Sequence, residues 1–151
     1  MRLPDRAILP ATPTAPAAAP LNLDELTQRC LGSIALVERL LASFVQRFPI
    51  ELAEIAECLG ASDVPRLARC AHQLKGAAAN LSAPALRSTL ELVEHAAKAG
   101  ELAPIAGYLD QLQLQWECFC QYRLAVAAPG GRNVSPAGGP SPAPLSAEDR
   151  P

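Results

Sequence analysis

Apolar residues recur at three- and four-residue steps through every long segment between residues 21 and 126, and none of these segments alternates as a strand does. The clearest stripe runs through Ile34, Val37, Leu41, Phe44, Phe48, Leu52, Ile55 and Leu59. Such spacing places one apolar face along a helix. The pattern predicts an all-α domain and excludes a sheet as its framework.

Start and stop signals divide this pattern into five helices. Asn22, with Glu25 three positions later, is a capping-box signature for a short helix over 23–31. Longer helices are predicted over 34–60, from a cap at Ser62 or Asp63 to about 81, from Pro84 to Gly100, and over 101–125. Because short connections force neighbouring helices to be antiparallel, we expect an up-down antiparallel four-helix bundle with an additional short N-terminal helix.

Proline marks both ends of the chain. Of the 15 prolines, five lie in residues 1–20 and six in residues 129–151, where glycine and serine are also frequent. This composition is typical of disordered or extended segments. We therefore predict disordered tails over 1–20 and 127–151 around one folded domain over 21–126.

Composition excludes several function classes. The net charge of −2 leaves no basic excess for nucleic acid, and no apolar run reaches the length of a membrane span. The first residues do not resemble a secretory signal, which favours the cytoplasm. The five cysteines are an odd number without the spacing of a metal site, so we expect reduced, mostly buried thiols and no metal.

The third helix carries an unusual set of residues along the flank of its apolar stripe. His72 stands there with Lys75 and Gly76 one turn further on, followed by Ala79. Glycine inside a helix costs about 1 kcal/mol relative to alanine, and the simplest reason for it here is access to the histidine. An imidazole is a nucleophile near neutral pH, and a lysine one turn away can neutralise a bound phosphoryl group.

The stretch AHQLKGAAANL, with His72 and Gly76 at its centre, resembles the phosphoacceptor signature of histidine-phosphotransfer (HPt) domains. The resemblance covers about 21–123. It implies that His72 is the phosphorylated histidine, that Lys75 stabilises the phosphoryl charge, and that Gly76 clears the approach. Ser82 departs from the pattern, because the family usually has glycine there, and we expect this serine to cap the next helix instead.

Antiparallel packing about a turn near residue 83 sets Glu94 opposite His72, and by the same count Glu91 opposite Lys75. Glu94 also matches a position where the family often has a polar residue bonded to the imidazole. Such a bond would orient the reactive nitrogen. Glu91 is equally well explained as an ordinary solvated charge. The other histidine, His95, lies in the last turn of its helix, where it can simply favour the helix dipole.

The resemblance implies a phosphorelay. The expected partners are a histidine kinase or hybrid kinase and the receiver domain of a response regulator, which would bring its own Mg²⁺. The chain should need no cofactor of its own and should not phosphorylate itself. Arg69, Gln73 and Ala79 are candidate partner contacts, although a solvated face explains Arg69 equally well. Two alternatives stay open: an adaptor bundle that carries no phosphate, and the phosphotransfer domain of a larger chemotaxis-type kinase.

Overall fold

The computed structural model describes residues 19–127, which form five α-helices and no strand. The helices are α1 (Leu23–Arg29), α2 (Ile34–Gly60), α3 (Val64–Asn80), α4 (Pro84–Ala99) and α5 (Ile105–Ala127). The prediction of an all-α domain is confirmed. The tails predicted over 1–20 and 127–151 lie almost wholly outside the described residues.

The four long helices pack in a closed ring, with α2 against α3, α3 against α4, α4 against α5, and α5 back against α2. The contact between α3 and α4 is the most extensive. Alanines on both helices, among them Ala71, Ala78 and Ala97, are fully buried and allow the helix axes to approach closely. The predicted up-down bundle is confirmed, and α1 is the additional short helix, packed against α2.

The starts of α1 and α3 follow the predicted capping signals. The side chain of Asn22 accepts a hydrogen bond from the Glu25 amide at 3.1 Å, and that of Asp63 accepts one from the Arg66 amide at 3.2 Å. The predicted start of the last helix at residue 101 is wrong, because α5 begins at Ile105. Pro104 accounts for the difference, since the residue before a proline is disfavoured in the helical conformation.

Aromatic side chains fill the seam between α2 and α5. The rings of Phe48 and Trp116 are stacked with centroids 4.3 Å apart, and those of Trp116 and Phe119 are stacked at 5.5 Å. Phe44 meets Phe119 edge-on at 5.6 Å. Phe48 and Phe119 are fully buried. This cluster holds the first and last long helices together, far along the chain from each other.

The turn between α3 and α4 corrects the role expected for Ser82. Its φ of +55° places it in the left-handed region, which explains the glycine preference of the resembling family at this position. The amides of Ser82 and Ala83 donate to the carbonyls of Ala79 and Ala78, so both residues close α3. The N-cap of α4 is therefore Ala83, without a side-chain bond, and the buried Ser82 hydroxyl has no partner within residues 19–127.

Candidate functional site

His72 lies on the flank of α3, next to the face that packs into the bundle. The buried stripe of that helix includes Leu67, Ala71, Leu74 and Ala78. Because His72 is offset from this stripe, its side chain is 67% exposed. The ring is therefore anchored beside the core and open to solvent, as the sequence predicted.

Glu94 on α4 is the buried centre of the site. Its side chain is only 3% exposed. One carboxylate oxygen, Oε1, lies 3.1 Å from His72 Nδ1 and 2.5 Å from Lys98 Nζ, while the other, Oε2, lies 2.6 Å from Lys75 Nζ. The antiparallel count therefore placed Glu94 correctly opposite His72. A single carboxylate joins the histidine to two ammonium groups.

The two lysines hold Glu94 in its charged form. The Lys75 ammonium has the largest lowering effect on the pKa of Glu94, and the Lys98 ammonium has the next largest. Burial acts in the opposite direction, and the bond to His72 adds a smaller lowering effect. Together these effects lower the pKa of Glu94 from 4.5 to about 2. A buried carboxylate without such partners would have a raised pKa. Glu94 is thus an anion at neutral pH.

The charge of Glu94 determines which imidazole nitrogen is available for chemistry. An ionised carboxylate only accepts hydrogen bonds, so Nδ1 of neutral His72 must carry the proton and donate it to Oε1. The lone pair then resides on Nε2. This nitrogen has no hydrogen-bond partner among the residues that the structure describes. The arrangement presents a nucleophilic nitrogen at the surface of the bundle.

The same count set Glu91 opposite Lys75, but the two side chains do not pair. Lys75 reaches Glu94 instead, and Glu91 forms no ion pair within residues 19–127. Counting residues from the turn treats both helices as rigid rods and ignores the length of a lysine side chain, which spans more than one turn. The contact with Oε2 is an ion pair by distance, but its angles are not those of a hydrogen bond.

Lys98 is the member of the cluster that sequence reasoning missed. It stands four residues after Glu94 on α4, in the last turn of the helix. Glutamate followed by lysine at this spacing is a recognised stabilising pair on one helix face. The spacing was visible in the sequence, but only the burial of Glu94 distinguishes this pair from an ordinary surface one.

The remaining predicted residues surround the imidazole on α3. Gly76 is exposed, and a Cβ built there would meet nothing within 4 Å, so internal packing does not require glycine at this position. Gln73 and Arg69 are exposed. Ala79 is half-buried, and its carbonyl accepts a hydrogen bond from Arg29 of α1 at 3.2 Å. Arg29 therefore borders the far end of the strip of small residues.

Other side chains of the described region take no part in this site. His95 is exposed and has no hydrogen bond or ion pair with residues 19–127. The five cysteines are all free, and Cys30, Cys58 and Cys70 are buried. No group of histidine, cysteine and acidic residues in this part of the chain is arranged to hold a metal ion. None of the five helices has both the length and the apolar character of a membrane crossing.

His72 is an exposed histidine held by a buried carboxylate on an antiparallel helical bundle, an arrangement suited to phosphoryl transfer. A family model of the Hpt domain matches residues 39–120. Since this match covers more than half of the chain, the protein belongs to the Hpt domain family. It is a histidine phosphotransfer protein of the kind that operates in phosphorelay signalling.

A solved structure supports the fold independently. The structure is similar to histidine-containing phosphotransfer protein B (HptB) from Pseudomonas aeruginosa PAO1, with a TM-score of 0.65 and 23% sequence identity. The alignment covers 72% of this chain and 95% of that protein. No curated protein sequence matches the chain significantly. At this identity the similarity establishes the shared fold.

Proposed function

We propose that His72 is the residue that carries the phosphoryl group. A histidine kinase or hybrid kinase supplies the group to the relay, and the aspartate of a receiver domain exchanges it with His72. The observation that carries this proposal is the bond from Nδ1 to buried Glu94 at 3.1 Å. It fixes the ring and leaves Nε2, on a side chain that is 67% exposed, available to a partner.

The transfer step follows from this tautomer. The Nε2 lone pair attacks the phosphorus of the partner's aspartyl phosphate, and the bond from phosphorus to the aspartyl oxygen breaks. Its electron pair leaves with the aspartate as a carboxylate. His72 then has phosphorus on Nε2 and a proton on Nδ1, so the ring is positively charged. Glu94 stabilises that charge across the same Nδ1 contact, and the reverse transfer retraces these steps.

Two neighbours of His72 support the same step. The Lys75 ammonium lies one helical turn away and can offset the phosphoryl charge as it arrives. Gly76 adds no side chain on this turn of α3, which leaves room for the backbone of a docking receiver. Gln73, Arg69 and Ala79 lie within the area that such a partner would cover.

The partner supplies what this chain's described residues do not provide. We assign the Mg²⁺ that phosphoryl transfer requires to the acidic pocket of the receiver domain, where it would neutralise the transferring group. We further place the protein in the cytoplasm. Five free cysteines, three of them buried, support that assignment because reducing compartments keep thiols unpaired.

A labelling experiment with a phosphorylated receiver domain tests the assignment of His72. Wild-type protein and the His95→Gln variant should become labelled, and the His72→Gln variant should not. The label should be labile in acid and stable in base, as a phosphoramidate is. Full labelling of the His72→Gln protein, or an acid-stable label, would overturn the proposal. A His72→Gln protein that retained its signalling output would indicate an adaptor instead.

A further inference from the structure

Lys98 has a position that the transfer step leaves unexplained. Its ammonium lies 2.5 Å from Glu94 Oε1, on the oxygen that also receives His72 Nδ1. Lys75 occupies the opposite oxygen, Oε2, at 2.6 Å. One buried carboxylate therefore has two cationic partners from two different helices. One lysine alone would balance the formal charge of one carboxylate.

The two lysines differ in what they can reach. Lys75 is on α3, one turn from His72, and its contact with Oε2 is an ion pair without hydrogen-bond angles. Lys98 is on α4, four residues after Glu94, and donates a hydrogen bond to Oε1. Lys75 is thus the lysine that can turn towards a group on Nε2. Lys98 is the one that can stay on Glu94.

Phosphorylation would give this difference between the two lysines a purpose. A phosphoryl group brings close to two negative charges, and Lys75 can turn from Oε2 to meet them. Without a second cation, that movement would leave a carboxylate that is 3% exposed facing the imidazolium alone. Loss of one of its cationic partners would destabilise that buried carboxylate. Glu94 would then compete with the phosphoryl group for Lys75.

We propose that Lys98 is a positioning residue that holds Glu94 so that Lys75 is released to the phosphoryl group on His72. This inference rests on the assignment of His72 as the phosphoryl carrier. In the phosphorylated state two ammonium groups and one imidazolium then face one carboxylate and a doubly charged phosphoryl group. The formal charges of the cluster cancel only when Lys98 is counted.

The last-turn position of Lys98 offers a simpler role, because a cation there also favours the helix dipole. That role would change stability alone and would not depend on Lys75. The two roles are separated by a cycle of variants. Lys98→Met keeps most of the aliphatic chain without the charge, Lys98→Arg restores the charge, and Lys75→Met removes the lysine that is to be released.

The test measures the equilibrium of phosphoryl exchange between a receiver domain and the full chain. Lys98→Met should shift it towards the receiver by about five- to tenfold, and Lys98→Arg should restore it. In the Lys75→Met background the same change should have less than about a twofold effect, because no lysine remains to be released. The ¹⁵Nζ resonance of Lys75 should move on phosphorylation of the wild type and stay in place in Lys98→Met.

Three outcomes would overturn the role of Lys98. They are an unchanged exchange equilibrium in Lys98→Met, an equal shift with and without Lys75, and a shift that Lys98→Arg fails to restore. An equal shift in both backgrounds would mean that Lys98 contacts the phosphoryl group directly. The His72→Gln protein, run alongside, keeps the two proposals apart. If it stays unlabelled while Lys98→Met behaves as wild type, only the inference about Lys98 fails.

Discussion

The seam between α2 and α5 is lined by large aromatic residues, whereas the seam between α3 and α4 is lined by small ones. The first is closed by four large aromatic rings, with Phe48 and Phe119 fully buried. The second is closed by alanines and encloses the carboxylate of Glu94. The aromatic seam supplies apolar burial without any ionisable group in the cluster, while the small-residue seam accommodates a charge. The main apolar stabilisation and the proposed chemistry therefore lie on different pairs of helices and should respond separately to substitution.

The largest expected effect falls on the aromatic seam. Phe48→Ala removes a fully buried ring that stacks on Trp116, and we expect the free energy of unfolding to fall by about 3–5 kcal/mol. Phosphotransfer by the molecules that remain folded should be unchanged. Urea unfolding measures the first quantity and labelling by a receiver the second. Leu114→Ala, at a residue of α5 that is 64% exposed, is the control and should change stability by no more than about 0.5 kcal/mol.

Loss of phosphotransfer in the folded fraction of Phe48→Ala would contradict the separate roles of the two seams. That result would mean that the aromatic seam positions His72 as well as stabilising the bundle.

The next largest expected effect is a loss of stability in acid, which arises at the small-residue seam between α3 and α4. The pKa of Glu94 is about 2 in the folded protein and 4.5 ordinarily, so its ion pairs stabilise the fold above pH 4.5. As the pH falls from 4.5 towards 2, the free energy of unfolding of the wild type should fall by on the order of 2–3 kcal/mol. The Glu94→Gln variant lacks this contribution at every pH. Urea unfolding at pH 7 and at pH 2.5 should therefore show the two proteins converging in acid.

Glu91→Gln is the matched control for this acid response. Glu91 lies one turn before Glu94 on α4 but has no ion pair within the described residues, so its variant should keep the full acid sensitivity of the wild type. Parallel pH profiles for wild type and Glu94→Gln would contradict the ion-paired state of Glu94.

The smallest stability effect is expected at Gly76, and it has the opposite sign. Since a Cβ there meets nothing within 4 Å, Gly76→Ala should raise the free energy of unfolding by about 1 kcal/mol, as should Gly107→Ala in α5. A bulky side chain should have different effects on phosphotransfer at Gly76 and at Gly107. Gly76→Leu should slow phosphotransfer severely, whereas Gly107→Leu should leave its rate unchanged. Transfer that survives leucine at residue 76 would refute the access role.

Periodicity in the sequence was sufficient to predict the bundle and the level at which Glu94 meets His72. Both follow from geometry that every helix shares, namely the rise per residue and antiparallel packing across a short turn. The choice of Glu94 over Glu91 as the partner of Lys75 depends on side-chain reach across a packed interface. A count along the backbone does not contain that information.

The role of Ser82 was missed for a related reason. A serine before Pro84 is a good capping signal in the sequence, yet the left-handed φ needed to close α3 assigns Ser82 to the preceding helix. The spacing of Glu94 and Lys98 was equally visible, but such pairs are frequent on helix surfaces. The pair of Glu94 and Lys98 differs from a surface pair only because Glu94 is buried between two helices.

The site and the aromatic cluster also differ in the length of chain that separates their members. The charged cluster of His72, Lys75, Glu94 and Lys98 lies within residues 72–98, on two helices joined by a short turn, whereas the aromatic cluster joins Phe44 to Phe119. Short loops close at a lower entropic cost and earlier in folding. The α3–α4 hairpin should therefore form part of the folding nucleus. A substitution at Leu74 should mainly slow folding, and one at Phe119 should mainly accelerate unfolding.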